Sequence, residues 1–204
     1  KINSILEEQK TLVDNIGAIN EEITGIENLS ADEKNKLEKL EEKGIDSLII
    51  DVRDNNGGYL TSVTDICNLF LEKGKVIYQL EDEDGVTKKK DNTRSKRSYE
   101  VVVIINGNSA SASEILASAI KESYGGYVVG TNSYGKGTVQ QTKRLLDGSM
   151  IKYTIQKWLT PEGSCIDGVG VAPTNYVELN EEYYNNPSVD NDNQINEAVD
   201  LLIK

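Results

Sequence analysis

Apolar residues fall into three kinds of run along this chain, and each kind predicts a different element. Val101-Val102-Val103-Ile104-Ile105 and Ser47-Leu48-Ile49-Ile50-Asp51-Val52 are nearly unbroken aliphatic stretches, the pattern of strands buried on both faces. Helical spacing recurs in Glu114 to Ile120, in Val63, Ile66, Leu69 and Phe70, and in Ile195, Val199 and Leu202. It predicts one helix opening near Ser111, a second capped by Thr61 or Ser62 and running to about Lys73, and a terminal amphipathic helix over Asp192 to Ile203. The third kind is alternation. Ile151, Tyr153 and Ile155 give the run Met150 to Leu159 one buried face, and with Thr138 to Leu146 and the turn dipeptide Asp147-Gly148 they predict a hairpin. Val76 to Leu80, Tyr127 to Gly130 and Tyr176 to Leu179 are shorter strand-like pieces.

Towards the start, residues 1 to 29 carry short apolar clusters broken by acids and Asn, consistent with short strands or a peripheral hairpin. Ser30 then caps a charged helix to about Lys43, with Gly44 as its stop, Leu37 and Leu40 as its inner face and Glu38 to Lys43 as a solvated one. Strands and helices alternate without an internal repeat, which argues for an α/β fold. The 204 residues suffice for one domain, or one with an appendage.

A formal net charge of −12 disfavours nucleic acid or an anionic membrane surface as a partner. The basic island of Lys88, Lys89, Lys90, Arg94, Lys96 and Arg97 has no interleaved aromatics apart from Tyr99 at its edge, so it reads as a solvated surface hairpin. No apolar run approaches the roughly 20 residues that span a bilayer, and no secretory signal is present. The chain opens on Lys1 without methionine, as expected of a processed or truncated product, so a lost signal or anchor stays open. Cys67 and Cys165 lie far apart and read as unpaired small residues. With two cysteines and no histidine a zinc site lacks ligands, and no metal or cofactor is expected.

Candidate chemistry sits between residues 107 and 140. The strand at 101–105 runs into Gly107-Asn108-Ser109-Ala110-Ser111-Ala112-Ser113-Glu114 and on into a helix, an arrangement that displays a hydroxyl beside free backbone N–H groups. Ser111 with Glu114 three positions later reads as a capping box, and Ser111 as a nucleophile. Without histidine there can be no Ser-His-Asp triad, so the proton acceptor must be another group, and the known variant is lysine. Lys136, between Gly135 and Gly137, is the candidate; to act as a base it must be desolvated so that the neutral amine is favoured. Gln140 could orient that amine without adding charge. The glycines of Asp54-Asn55-Asn56-Gly57-Gly58 allow amides to point into a site.

Four blocks in order, Asp51-Val52-Arg53-Asp54-Asn55-Asn56-Gly57-Gly58, the Ser-Ala-Ser-Ala-Ser-Glu stretch, Gly135-Lys136-Gly137-Thr138-Val139-Gln140, and Leu159-Thr160-Pro161-Glu162-Gly163 with Gly168-Val169-Gly170, resemble the C-terminal processing peptidases, or tail-specific proteases. In that family the nucleophile is the middle serine of three and the catalytic lysine follows it by 25 residues, the separation of Ser111 and Lys136. The resemblance implies a Clp protease/crotonase-like spiral sheet-and-helix core over residues 45–204. Residues 1–44 would be a lead-in whose first 13 at most resemble the last strand of a PDZ domain, without a complete PDZ domain. It implies Ser111, Lys136 and Gln140 as catalytic residues and the amides of Ala112 and a turn glycine, preferably Gly57, as the oxyanion hole. Proline is usual in the family where Asn56 stands, so the turn is expected to be looser. Substrates would be polypeptides cut near their C-terminal end, with homo-oligomerisation possible, membrane association only through segments absent here, and an extracytoplasmic location. The competing expectations are a catalytically silent binding or assembly module and a crotonase-like acyl-CoA enzyme, which the fold alone permits.

Overall fold

The computed structural model describes residues 34–93 and 97–203. The chain divides into two compact units, Lys1–Ile45 and Asp46–Lys204. In the first, residues 34–41 are helical (α1) and close at Gly44, whose φ is +79°. Of the two leucines expected on its inner face, Leu37 is buried and Leu40 is exposed. The other expectations for residues 1–33 lie outside the described residues.

In chain order the second unit contains β1 (Ser47–Asp51), α2 (Leu60–Phe70), β2 (Val76–Asp82), β3 (Gly85–Lys90), β4 (Glu100–Ile105), α3 (Ala112–Ala119), β5 (Tyr127–Gly130), β6 (Thr138–Arg144), β7 (Met150–Leu159), β8 (Asn175–Tyr176), α4 (Glu181–Asn185) and α5 (Asn193–Leu202). A π-helical turn, Ile120–Tyr124, extends α3 and ends at Gly125 in the left-handed region.

Four strands form a parallel sheet in the order β1-β4-β5-β8, and four form an antiparallel sheet in the order β3-β2-β7-β6. The continuous apolar run of β4 is explained by its central place: Val101 to Ile105 are all fully buried. Successive side chains of a strand point to opposite faces. Val102 and Ile104 pack with Val129, Ala198 and Leu201 under α5, which leaves Val101, Val103 and Ile105 to the opposite layer. The parallel sheet thus has covered faces, as such sheets require.

Several sequence expectations need correction. β1 is half-buried rather than fully buried because it is the edge of the parallel sheet. α2 begins at Leu60 and ends at Phe70, not Lys73, and the piece expected over Tyr176 to Leu179 shrinks to the two-residue β8. In α5 the most buried residues are Gln194, Ala198 and Leu201, one position off the expected stripe, while Ile195 and Leu202 pack at its margin. The largest departure is β7: Ile151, Tyr153 and Ile155 are 46%, 39% and 41% exposed. Alternation gives the hairpin an apolar face, but no layer covers that face among the described residues. Lys88, Lys89 and Lys90 of the basic segment are exposed on β3, as expected, whereas Arg97 is half-buried and donates to the Leu69 carbonyl. Cys67 is buried in α2 and its thiol is pushed up to about 12, first by burial and then by Asp91, whereas Cys165 is exposed.

One polar cluster ties the end of β1 to α5. Arg53 bonds both oxygens of Asp51, reaches Gln194 Oε1 at 3.0 Å and lies 2.8 Å from Asp192 Oδ2. Asp192 is 1% exposed and caps α5 through the N–H groups of Gln194 and Ile195. Burial opposes the charge on Arg53, but its bonds to Asp51 and Asp192 outweigh burial and raise its pKa. Arg53→Ala would leave Asp192 as an unpaired buried charge, so it is expected to lower stability by about 3–5 kcal/mol. Urea denaturation followed by circular dichroism measures this, and an unchanged midpoint would show that α5 is docked without the ion pair.

Candidate active site

Ser111 stands where β4 turns into α3. An ordinary N-cap residue has extended φ and ψ, but Ser111 has φ 56° and ψ −113°, a conformation that a non-glycine residue adopts only when its surroundings enforce it. The enforcement is visible in its neighbours. Ala110 N–H donates to the Asn55 carbonyl (3.0 Å), and Ser113 Oγ donates to the same oxygen (3.0 Å). Ser109 Oγ, fully buried, donates to the Val52 carbonyl (2.7 Å). The outer serines of the three are therefore held by backbone carbonyls of the turn after β1. No carbonyl among the described residues accepts from Ser111 Oγ.

That turn approaches very closely. Gly57 has φ +95°, and a Cβ built on it would lie 2.5 Å from the Ala110 carbonyl oxygen, 2.8 Å from Ala112 N and 2.9 Å from Ser111 Cβ. Only glycine fits there. Its own N–H, the expected oxyanion donor, is engaged by Asn55 Oδ1 at 2.8 Å. Gly58, next in the chain, is exposed with nothing within 4 Å of its Cβ position. Asp54, also at positive φ, accepts from Asn108 and Asn106, which hold its carboxyl below the usual range and fasten the turn to the loop before Ser111.

Glu114 joins the serine turn to the lysine loop. Its side chain is fully buried and accepts four hydrogen bonds. Oε2 takes the N–H groups of Ser111 (2.7 Å) and Lys136 (2.9 Å), and Oε1 takes Ser133 Oγ (2.6 Å) and the N–H of Gly135 (2.7 Å). Tyr134 N–H adds a bond to the Ser109 carbonyl. From the other side Trp158 Nε1, on β7, donates to the Lys136 carbonyl at 2.7 Å. Gly168 N–H bonds the Gly135 carbonyl, and Asp167 Oδ1 accepts from Gly137 N–H. A Cβ on Gly135 or Gly137 would lie within 3 Å of the 167–170 loop.

The structure thus brings Ser111, Ala112, Gly57 and Lys136 to one place through their backbones. The Lys136 side chain itself is exposed, so the desolvation expected for a neutral amine is not present in this conformation, and no hydrogen bond joins it to Ser111. Gln140 lies exposed on β6 just after a bulge between Val139 and Gln140, and no hydrogen bond ties it to Lys136 either. Glu114 beyond its local cap, Ser133, Asn55, Trp158 and Asp167 were not singled out by the sequence. The one available signal was a carboxylate in an otherwise apolar and small-residue helix, where a charge must have partners if it is buried.

Residues 15–177 match the model of "Peptidase family S41". The chain is 47% identical over 149 residues to the carboxy-terminal processing protease CtpB of Bacillus subtilis (strain 168), covering 72% of this chain and 31% of that protein. It is 36% identical over 170 residues to a probable CtpA-like serine protease of Staphylococcus epidermidis, covering 82% and 34%. Among solved structures it is similar to a photosystem II D1 C-terminal processing protease, with a TM-score of 0.70 and 29% identity over 74% of this chain and 39% of that one. The chain therefore spans about a third of the length of the curated relatives it matches.

Proposed function

The chain belongs to peptidase family S41, with the Clp protease-like sheet-and-helix fold of that family, and we propose that it is a serine endopeptidase core acting by acyl transfer on polypeptides near their C-terminal end. The observation that carries this reading is the pairing of the Ser111 and Lys136 backbones on one carboxylate oxygen, with Ser109 and Ser113 committed elsewhere. Neutral Lys136 takes the Ser111 proton, and Ser111 Oγ attacks the peptide carbonyl. The N–H of Ala112 and an amide of the Gly57-Gly58 turn hold the oxyanion. Lys136 returns the proton to the leaving amine, and water releases the acyl group.

The substrate would lie as an extended segment along β6. That strand starts directly after Gly137 and, among the described residues, pairs only with β7, which leaves its other edge without a strand partner there. A peptide there would cover the exposed Lys136 amine and remove it from water, which is the condition for a neutral lysine near neutral pH. Action outside the cytoplasm and self-association are part of the same proposal and follow from the family resemblance. The exposure of Lys136 favours one other reading, an assembly module without catalysis.

A fluorophosphonate probe separates the two. The expected result is a covalent adduct that peptide mass spectrometry places on Ser111 and not on Ser109 or Ser113. A folded sample that forms no adduct would leave the assembly module as the better account.

A further inference from the structure

We propose that Glu114 is a positioning residue for the Ser111–Lys136 pair: its carboxylate is the strap that sets the nucleophile turn and the lysine loop in register. The proposal rests on the peptidase reading above, but the geometry that carries it is independent of any reaction.

A carboxylate has two oxygens with two acceptor sites each and no donor. Glu114 uses all four sites, two on each oxygen. Its side chain is fully buried, and no cation pairs with it among the described residues. A lone buried carboxylate is costly to desolvate, so the four N–H and O–H donors, together with its place in the first turn of α3, are what sustain it. They belong to two segments. One donor is the nucleophile's own N–H; the other three come from Ser133, Gly135 and Lys136, in the loop that returns past the start of α3.

Two consequences follow for the chemistry. Because the Ser111 N–H is turned into Glu114, the amide left to meet an oxyanion is that of Ala112. Because Gly135 and Lys136 are held on separate oxygens of one rigid group, the base of the lysine stem is fixed relative to the serine whatever its exposed amine does. A carboxylate is needed for this, and an amide of the same shape is not enough. Glutamine would keep one accepting oxygen but would set its NH₂ donors against two N–H or O–H donors, pushing one segment away.

The test compares the wild-type protein with Glu114→Gln and Ser133→Ala. In Glu114→Gln, probe labelling and kcat on a peptide substrate are expected to fall about 100-fold, the loss brought by a displacement of about 1 Å. KM should stay within about twofold, because the peptide-binding edge of β6 is untouched. Ser133→Ala, which keeps the charge, removes one donor to Glu114 and also the Oγ that accepts from Val171 N–H, is expected to lose about tenfold. Amide hydrogen exchange gives a readout without activity. The amides of Ser111, Gly135 and Lys136 should exchange faster in Glu114→Gln while those of Val102, Val103 and Ile104 keep their protection. Should Glu114→Gln fail to fold, Ser133→Ala carries both readouts.

Labelling within about threefold of wild type, or protection lost equally from β4 and the site, would overturn the strap. If wild type itself takes no probe, the peptidase reading falls, and hydrogen exchange alone decides whether Glu114 holds the two segments together.

Discussion

Lys136→Ala and Ser111→Ala are each expected to abolish probe labelling and peptide cleavage, with losses on the order of 10⁴-fold or more. The two effects should not add, because a nucleophile without its base and a base without its nucleophile are equally inert. Lys136→Arg is the informative companion. Arginine keeps the positive charge and most of the reach but does not release its proton at accessible pH. If Lys136 acts as the base, the arginine variant should be as inactive as alanine; if the lysine only supplies charge to the site, arginine should retain substantial labelling. The fold should not respond to either change, since the Lys136 side chain is exposed and the loop is held by its backbone N–H and carbonyl. Thermal melts within about 0.5 kcal/mol of wild type, the range of ordinary surface substitutions, would confirm that chemistry and not folding was lost. Labelling of Lys136→Ala within tenfold of wild type would remove the lysine from the mechanism.

The sequence made the candidate pair legible because two constraints act at fixed spacing. The absence of histidine narrows the base, and the interval that the resemblance to the C-terminal processing peptidases implies between nucleophile and lysine selects Ser111 among the three serines. In the structure Ser109 Oγ and Ser113 Oγ donate to the carbonyls of Val52 and Asn55. These bonds were not legible, since they join segments more than 50 residues apart. Glu114 shows the same limit. Its bond to Ser111 is local and was read as a capping box, whereas its other three partners arrive with the loop at 133–136. Arg53 stands in a sequence block that assigns it no role, and its partners Asp192 and Gln194 lie near the other end of the chain. For β7 the period was right and the inference from it was wrong. Alternation tells which residues share a face, but whether the chain covers that face depends on what packs over it. The turn at 54–58 fell between: the need for glycine was evident, while the engagement of the Gly57 N–H by Asn55 Oδ1 could be seen only in space.

Gly57→Ala is expected to cost nearly all activity, and the reasons can be separated by a second glycine. A side chain at φ +95° is strained by roughly 1–2 kcal/mol wherever it occurs. Gly74, in the turn between α2 and β2, has φ +93° and nothing within 4 Å of its Cβ position. Gly74→Ala therefore isolates backbone strain and should lower stability modestly while labelling proceeds at the wild-type rate. At Gly57 the same methyl also meets backbone on two sides and Ser111 Cβ on a third, all closer than 3 Å. None of these atoms is the end of a flexible side chain, so relief requires the 54–58 turn to back away from the Ser111-Ala112 peptide. That movement would pull apart the two edges of the proposed oxyanion hole and release Ala110 N–H and Ser113 Oγ from the Asn55 carbonyl. Losing one oxyanion donor costs about 10²–10³-fold in rate, and disturbing the nucleophile's strained conformation adds to it. Gly57→Ala should thus label at least about 10³-fold more slowly than wild type, with a larger drop in melting temperature than Gly74→Ala. Equal melting temperatures with a large rate difference would place the whole effect on oxyanion geometry. Labelling of Gly57→Ala within threefold of Gly74→Ala would mean that the turn moves freely and that its close approach to Ser111 has no part in catalysis.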